Sequence, residues 1–384
     1  MKKLIALLLA AVMLFALVAC TSSAPATETP AAPETPAATE TPATETPATE
    51  TPATETPATT DTEGAVKTDV ISEDADAAAL GIPAAVVLQD TEILKGKKLG
   101  CSICYKGDEW CAALAQALEA LGKYYGADLV CEDGDLNDET QTKQIENMIA
   151  NGCDAIMIDP ITPDGSATAL NKAVDAGIPV VIYDGYWTDG AEKAVTTVTW
   201  DQKATGTLIG EYFVNYVKEH NGGKARVVEL TNAVSTHCQE RFVGLHEVID
   251  AANADGCQIE ILNKYDSQGN RETAYNAISA VVEPYDYVIS DVDNGAMGAV
   301  SALQATGNTD VKVLSMGAYG QEPFGMLHNN DVNYLACLNV DAWVLAQFIF
   351  DGTIAYFEGN DVPTQTNIDL FVVDNSNVEK FWSF

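Results

Sequence analysis

The sequence predicts an α/β protein built as two doubly wound parallel-sheet lobes with a cleft between them. Three observations carry this. From about residue 95 onward, short apolar runs alternate with segments of helical period. The alternation closes near residue 219 and restarts at residue 224. Close to 290 residues remain after the N-terminal part, enough for two domains of ordinary size. A strand–helix rhythm means a parallel sheet covered on both faces, with right-handed crossovers.

In chain order, KKLGCSICY (97–105) reads as a strand. Residues 110–125 place apolar side chains at helical spacing, and Gly126 stops them. ADLVCEDG is the next strand, followed by a helix over 139–151 that Gly152 closes. DAIMIDP is a buried strand, 164–176 a helix ending at Gly177, and IPVVIYDG and KAVTTVTWD are strands. A long helix covers 203–219. In the second half KARVVELT, QIEILNKYD, YDYVISD, VKVLSMG and NYLACLN are strands. Helices over 237–252, 271–282, 295–307, 321–328 and 340–350 alternate with them. NIDLFVVD (367–374) is the last strand.

The N-terminus is of another kind. Lys2 and Lys3 precede an apolar run from Leu4 to Val18, then Ala19 and Cys20. This is an export signal, too short for a stable spanning helix. Residues 24–63 use Thr, Pro, Ala and Glu, with nothing to bury against the cost of chain entropy. Pro30, Pro36, Pro42, Pro47, Pro52 and Pro57 bias this part toward an extended spacer. A glycosylated stalk is the alternative. The formal charge of −36 and the lack of a Lys/Arg cluster argue against a nucleic-acid partner.

Cys20 apart, eight cysteines remain. Most lie in apolar text, where a free thiol acts as a small hydrophobe. Cys101 and Cys104 have redox or metal spacing, but an offset of three puts them on opposite faces of a strand. No second CxxC and no paired histidines support zinc, so no metal and no cofactor is expected.

In doubly wound sheets, ligands bind beyond the carboxyl ends of the strands. Those positions hold Tyr105, Lys106, Asp108 and Trp110 after the first strand, Asp159 after the third, and Asp184, Gly185, Tyr186 and Trp187 after the fourth. The second half offers Thr231 and Asn232, Arg241 in the next helix, Asp291, Asp293 and Asn294, then Tyr319 and Gln321. Carboxylates accept paired hydrogen bonds from adjacent hydroxyls, and aromatic faces pack on the C–H face of a sugar ring. Arg241 would balance buried negative charge. The set suits a small neutral polyhydroxylated ligand. Each member has a plainer rival: helix cap for the Asp residues, rim aromatic for Trp187 and Tyr319, core staple for Trp110, surface salt bridge for Arg241. Asp201 reads as a cap or hinge residue.

The run Glu139-Thr140-Gln141-Thr142-Lys143-Gln144-Ile145-Glu146-Asn147-Met148-Ile149 is followed by Gly152-Cys153-Asp154-Ala155-Ile156-Met157-Ile158-Asp159-Pro160. With Ala176 to Asp184 and Glu240-Arg241, this order resembles the type I periplasmic sugar-binding proteins of ABC importers, the ribose, xylose and galactose group. The likeness spans roughly residues 96–375. Leu17-Val18-Ala19-Cys20 likewise resembles a bacterial lipobox, which implies a diacylglycerol on Cys20 and an anchor to the outer face of the cell membrane; secretion with an incidental Cys is the alternative.

The resemblance implies a hinge crossed three times, near Thr199–Asp201, Cys337–Asn339 and Thr366–Ile368. The expected organisation is a signal peptide at 1–19 and a lipidated, disordered tether at 20–94. The N-terminal lobe is then 95–200 plus 338–366, and the C-terminal lobe 201–337 plus 367–384. The family's ligand positions carry over to Trp110 beside Asp108, to Asp159, Asp184 and Arg241. Ribose binders differ where this chain has Gly185, Gly317 and Cys337, so ribose itself is not implied. The expected partners are a small sugar-like solute, an ABC permease and its ATPase, with the protein a monomer. Hinge closure is the implied mechanism, with no covalent chemistry.

Two other classes compete. A sensory module feeding a kinase or chemoreceptor would use the same cleft, and so would a binder of a non-sugar solute such as a nucleoside or a signalling molecule. An enzyme would need an active-site signature, and the chain has no G-x-S-x-G elbow, Walker loop or G-x-G-x-x-G.

Overall fold

In the computed structural model, which describes residues 71–185 and 193–380, the apolar runs form two six-stranded sheets. The strands are β1 (Lys98–Ile103), β2 (Asp128–Asp133), β3 (Ala155–Ile158), β4 (Val180–Tyr183) and β5 (Thr196–Thr199), then β6 (Lys224–Thr231), β7 (Gln258–Asp266), β8 (Tyr287–Ser290), β9 (Lys312–Ala318) and β10 (Tyr334–Asn339), and finally β11 (Gln365–Asn367) and β12 (Phe371–Asp374). The first sheet runs β2-β1-β3-β4-β5-β11 and the second β7-β6-β8-β9-β10-β12. Every pair is parallel except β10 with β12. AIMI in β3 and VVIY in β4 are buried at every position, as expected of strands covered on both faces. The edge strand β2 alternates toward solvent instead.

Helices cover these sheets: α1 (Ala75–Ala79), α2 (Glu109–Tyr124), α3 (Asp138–Ala150), α4 (Ala167–Asp175), α5 (Gln202–Asn221), α6 (Thr236–Ala254), α7 (Arg271–Ser279), α8 (Asp293–Thr306), α9 (Gln321–His328) and α10 (Ala342–Glu358). Helix α5 packs on the second sheet, whereas α10 packs on β4, β5 and α2 of the first. The chain therefore passes between the lobes after β5, after β10 and after β11. In each sheet the connections leave in opposite directions at one point, between β1 and β3 and between β6 and β8, which opens a crevice at the strands' carboxyl ends.

Three readings are corrected. The stretch 367–374 is not one strand. Ile368 donates to Thr199 O at 2.8 Å and ends the pairing with β5, and Phe371–Asp374 then runs antiparallel to β10 in the other sheet. The helix placed at 340–350 begins at Ala342 and continues to Glu358. Gly352 does not break it but lets the helix lie close to β5, where a Cβ would fall 2.9 Å from Thr196 Cγ2.

The third correction concerns the tether, expected to reach residue 94. Residues 71–94 instead pack on the first lobe. Ala77, Ile82, Val86 and Leu94 are buried in the same cluster as Leu118, Ile349 and Ile354. Val87 N donates to Gln347 Oε1 at 2.7 Å, and Gln89 binds both Tyr125 and Asp351. Ile82→Ala should cost about 2–5 kcal/mol, visible as an earlier urea midpoint; a midpoint unchanged from the parent would return this segment to the tether.

The eight described cysteines are free thiols. Cys101 and Cys104 part company: Cys101 Sγ lies 3.3 Å from Cys131 Sγ on the neighbouring strand, and Cys104 Sγ 3.9 Å from Cys111 Sγ on α2. Among the described residues there is no cluster of metal-ligating side chains, and no helix is long and apolar enough to cross a membrane.

Candidate functional site

The loops that leave β1, β3 and β4 face those that leave β6, β8 and β9. On the first lobe, Asp108 caps α2, accepting from Trp110 N at 2.9 Å and Cys111 N at 3.2 Å through Oδ1. The cap leaves Oδ2 available, and it accepts from Asn294 Nδ2 of the second lobe at 3.1 Å. Asp159 follows β3, is 3% exposed, and accepts from Cys104 N at 3.3 Å. It caps no helix, since α4 begins only at Ala167. Burial pushes its carboxyl well above the usual range, and the neighbouring Asp184 adds to this.

Asp184 has a left-handed backbone, φ 53°, a conformation uncommon for a residue with a side chain. Its N–H donates to Val198 O at 3.0 Å, and its Oδ1 is buried without a hydrogen-bond partner. Burial raises its carboxyl, while His237 and Arg241 across the cleft hold it down. The next residue must be small. A Cβ at Gly185 would fall 2.6 Å from Pro160 Cδ, so the loops after β3 and β4 abut there.

On the second lobe Arg241 is 7% exposed, not a surface ion pair. Its Nε donates to Gln202 Oε1 at 2.7 Å and its Nη1 to Asp291 O at 2.7 Å and Met316 O at 3.4 Å. Nη2 has no hydrogen-bond partner among the described residues. Asp291 is fully buried; Oδ2 accepts from Asn232 N and Oδ1 has no partner. Asp293 opens α8, and burial together with Asp108 pushes its carboxyl up to about 6. Tyr319 follows β9 yet packs against the core of the first lobe. Three more polar atoms around the crossing and the strand ends are buried without a hydrogen-bond partner: Gln202 Nε2, Trp200 Nε1 and Asn232 Oδ1.

A family model for the periplasmic binding protein domain matches residues 99–361. The chain belongs to the periplasmic binding protein domain family. It is similar to the galactofuranose-binding protein of Escherichia coli (strain K12), 27% identical over 284 residues, covering 70% of this chain and 86% of that protein. Among solved structures it resembles the periplasmic binding component of the arabinose ABC transporter from Shewanella sp. ANA-3, bound to arabinofuranose. The TM-score is 0.67 at 24% identity, over 74% of this chain and 93% of the other. It also resembles an ABC transporter solute-binding protein from Bacillus halodurans C-125 with bound myo-inositol, TM-score 0.67 at 21% identity, over 75% and 97% of the two chains.

Seen within this family of binding proteins, the crevice collects Asp108, Trp110, Asp159, Asp184, Arg241, Asp291, Asp293 and Tyr319. Tyr105 stands aside, 37% exposed with its ring tip against Gly107. Trp110 is a hinge contact as much as a wall: its Nε1 donates to Val340 O at 3.0 Å and its ring meets Trp200 edge-on at 5.8 Å. Lys106 turns away to Cys131 O, at 2.7 Å. Cys337 faces the second core, not the cleft. Asp201 caps α5 through Ala204 N. Trp187 and Cys20 lie outside the described residues.

The sequence reading missed Gln202 and His237. His237 sits in the first turn of α6 near Asp184; burial pushes its ring below the ordinary range and Asp184 pulls it back up. Its position after a strand-end loop was the available signal. Asn294 stood among the candidates but not for its bond across the cleft.

The Asp293 carboxyl gives a pH dependence. Its elevation depends on burial and on Asp108 and Glu109 of the opposite lobe, so separating the lobes returns it toward the usual carboxylate range. The closed arrangement thus holds the proton more tightly. Its extra stability is present at acid pH and lost as pH rises through about 6. Small-angle scattering from pH about 5 to about 8 should show the radius growing; a constant radius, or one that shrinks, counts against this.

Proposed function

We propose that this chain is the substrate-binding lipoprotein of an ABC importer, taking a small polyhydroxylated solute, a monosaccharide or polyol, into the crevice between its lobes. The observation that carries the reading is the set of buried, unpaired polar atoms there. Asp184 Oδ1, Asp291 Oδ1 and Asn232 Oδ1 accept; Gln202 Nε2 and Trp200 Nε1 donate. Buried polar groups need partners, and hydroxyl groups supply both a donor and acceptors. Asp184, Asp159 and Asp108 present carboxylates from one lobe; Arg241, Asp291 and Asp293 answer from the other. Trp110 and Tyr319 line the walls. Binding favours the closed lobes and a permease then reads the closed form; no bond is made or broken.

The same reading assigns cleavage before Cys20, lipid on its sulfur, and a spacer from there to about residue 70, which holds a monomer at the outer face of the cell membrane. The two lobes exchange chain at Thr199–Asp201, Cys337–Asn339 and Thr366–Ile368.

A thermal-shift screen of pentoses, hexoses and polyols tests this. Stabilisation follows ligand concentration over Kd, so a binder at a hundred times its Kd adds about 2.7 kcal/mol. A flat response across all three groups would sink the proposal.

A further inference from the structure

The charges in the crevice do not balance. Asp108, Asp159, Asp184, Asp291 and Asp293 stand at the strand ends, and among the described residues the permanently charged cation beside them is Arg241. That guanidinium is already divided between Gln202, Asp291 O and Met316 O. The other basic groups around the site are spent elsewhere. Lys106 Nζ donates to Cys131 O, Lys203 pairs with Glu247 at 2.8 Å, and Arg271 pairs with Glu322 at 2.7 Å. His237 stands beside Asp184 and lowers its carboxyl, while burial pushes the ring below the ordinary range.

The acids are also built into the site rather than scattered on a surface. Asp291 is fully buried and Asp159 nearly so, and Asp184 and Asp291 each keep one buried oxygen without a hydrogen-bond partner. A hydroxyl can satisfy such an oxygen but cannot cancel its charge, whereas an ammonium does both.

We infer that the ligand carries a positively charged amino group on its polyhydroxyl skeleton, an amino sugar or aminated polyol, with the ammonium held by Asp184 beside Asp159. This rests on the polyol reading of the same crevice and narrows it. Arg241 then serves as a scaffold for the second lobe's carboxylate and carbonyls rather than as the counter-ion of the whole site. A second consequence follows from the raised carboxyls. Burial holds Asp159 and Asp184 above the usual range; Asp184 adds to the rise of Asp159, and Asp108 to that of Asp184. An arriving cation lowers them again, so binding releases protons to the solvent.

The test is calorimetric titration of the purified protein near neutral pH with glucosamine, galactosamine and an inositol amine, each beside its neutral parent. At least one amine should bind ten-fold or more tighter than its parent, and its binding heat should change with the ionisation heat of the buffer, in the sense of proton release. Asp184→Asn, which keeps shape and removes charge, should weaken the amine at least ten-fold more than it weakens the parent, bringing the two to similar affinity. Neutral parents that bind as tightly as their amines overturn the inference and leave the polyol reading standing. An amine preference that persists in Asp184→Asn and in Asp159→Asn overturns it as well. No binding by either set defeats both readings.

Discussion

Replacing Gly206 by alanine is expected to destabilise the protein by about 3 kcal/mol, the upper end of what overpacking costs. Helices α5 and α6 cross so closely that each contributes a glycine to the contact. A Cβ at Gly206 would fall 1.6 Å from Arg241 O, and one at Gly244 would fall 1.9 Å from Lys203 O. Both obstacles are backbone atoms within helices and cannot rotate away. The helices must separate, and α5 is anchored at its start by the crossing from the first lobe. In an isolated helix the same change would gain about 1 kcal/mol, so the sign of the effect is itself informative. The fall should be about 6–12 °C in melting temperature. Because Arg241 supplies the obstructing carbonyl, ligand affinity should drop in the same variant. Gly210→Ala is the control: its nearest neighbours lie 3.2–3.5 Å away, and it should stay within about 1 kcal/mol of the parent. A Gly206→Ala protein as stable as Gly210→Ala would show that the helices have room to spare.

The physical reasons why parts of this site were legible in the sequence are local. Asp159 and Asp184 each terminate a four-residue apolar strand, and a charged residue at the end of a doubly buried strand has few places to go except the crevice. Arg241 was harder. Nothing in helix α6 alone marks it as buried; it was singled out by its helix starting beside a strand-end mouth, with a surface salt bridge as rival, and again by the family resemblance. Gln202 was invisible because its partner lies 39 positions away across a helix crossing. Trp110 was legible as an aromatic near the mouth but not as a hinge contact, since Val340 comes 230 residues later. Residues 71–94 misled for a different reason. Their Ala and acidic content continues the tether's alphabet, and the apolar residues, Ile82, Val86 and Leu94 among them, follow no period. They are fixed one at a time by cavities that α2 and α10 provide. The tail misled because both of its pieces are strands; only the change of sheet between Asn367 and Phe371 separates them.

Arg241→Ala is expected to abolish ligand binding and to cost about 3–5 kcal/mol of stability, the penalty of removing one partner from a buried charged network. The guanidinium is 7% exposed and holds Gln202 Oε1, Asp291 O and Met316 O together. Its loss strands those acceptors in the interior, where each needs a partner. It also removes a cation that lowers the carboxyls of both Asp184 and Asp291. Without it those two acids rise further above their ordinary value, and the direction of the resulting pH dependence is fixed. An acid whose folded-state value is raised stabilises the fold when protonated, so its contribution is present at low pH and is lost as pH rises through the raised value. The stability gap between parent and variant should therefore be wide at about pH 8 and narrow by about pH 5, measured as urea midpoints. Arg241→Lys keeps a charge but loses the planar fork that reaches three acceptors at once. It should recover the pH-dependent part of the loss and little of the rest. A gap that stays constant with pH would mean that packing of the side chain, not its charge among the carboxylates, is what the fold requires at this position.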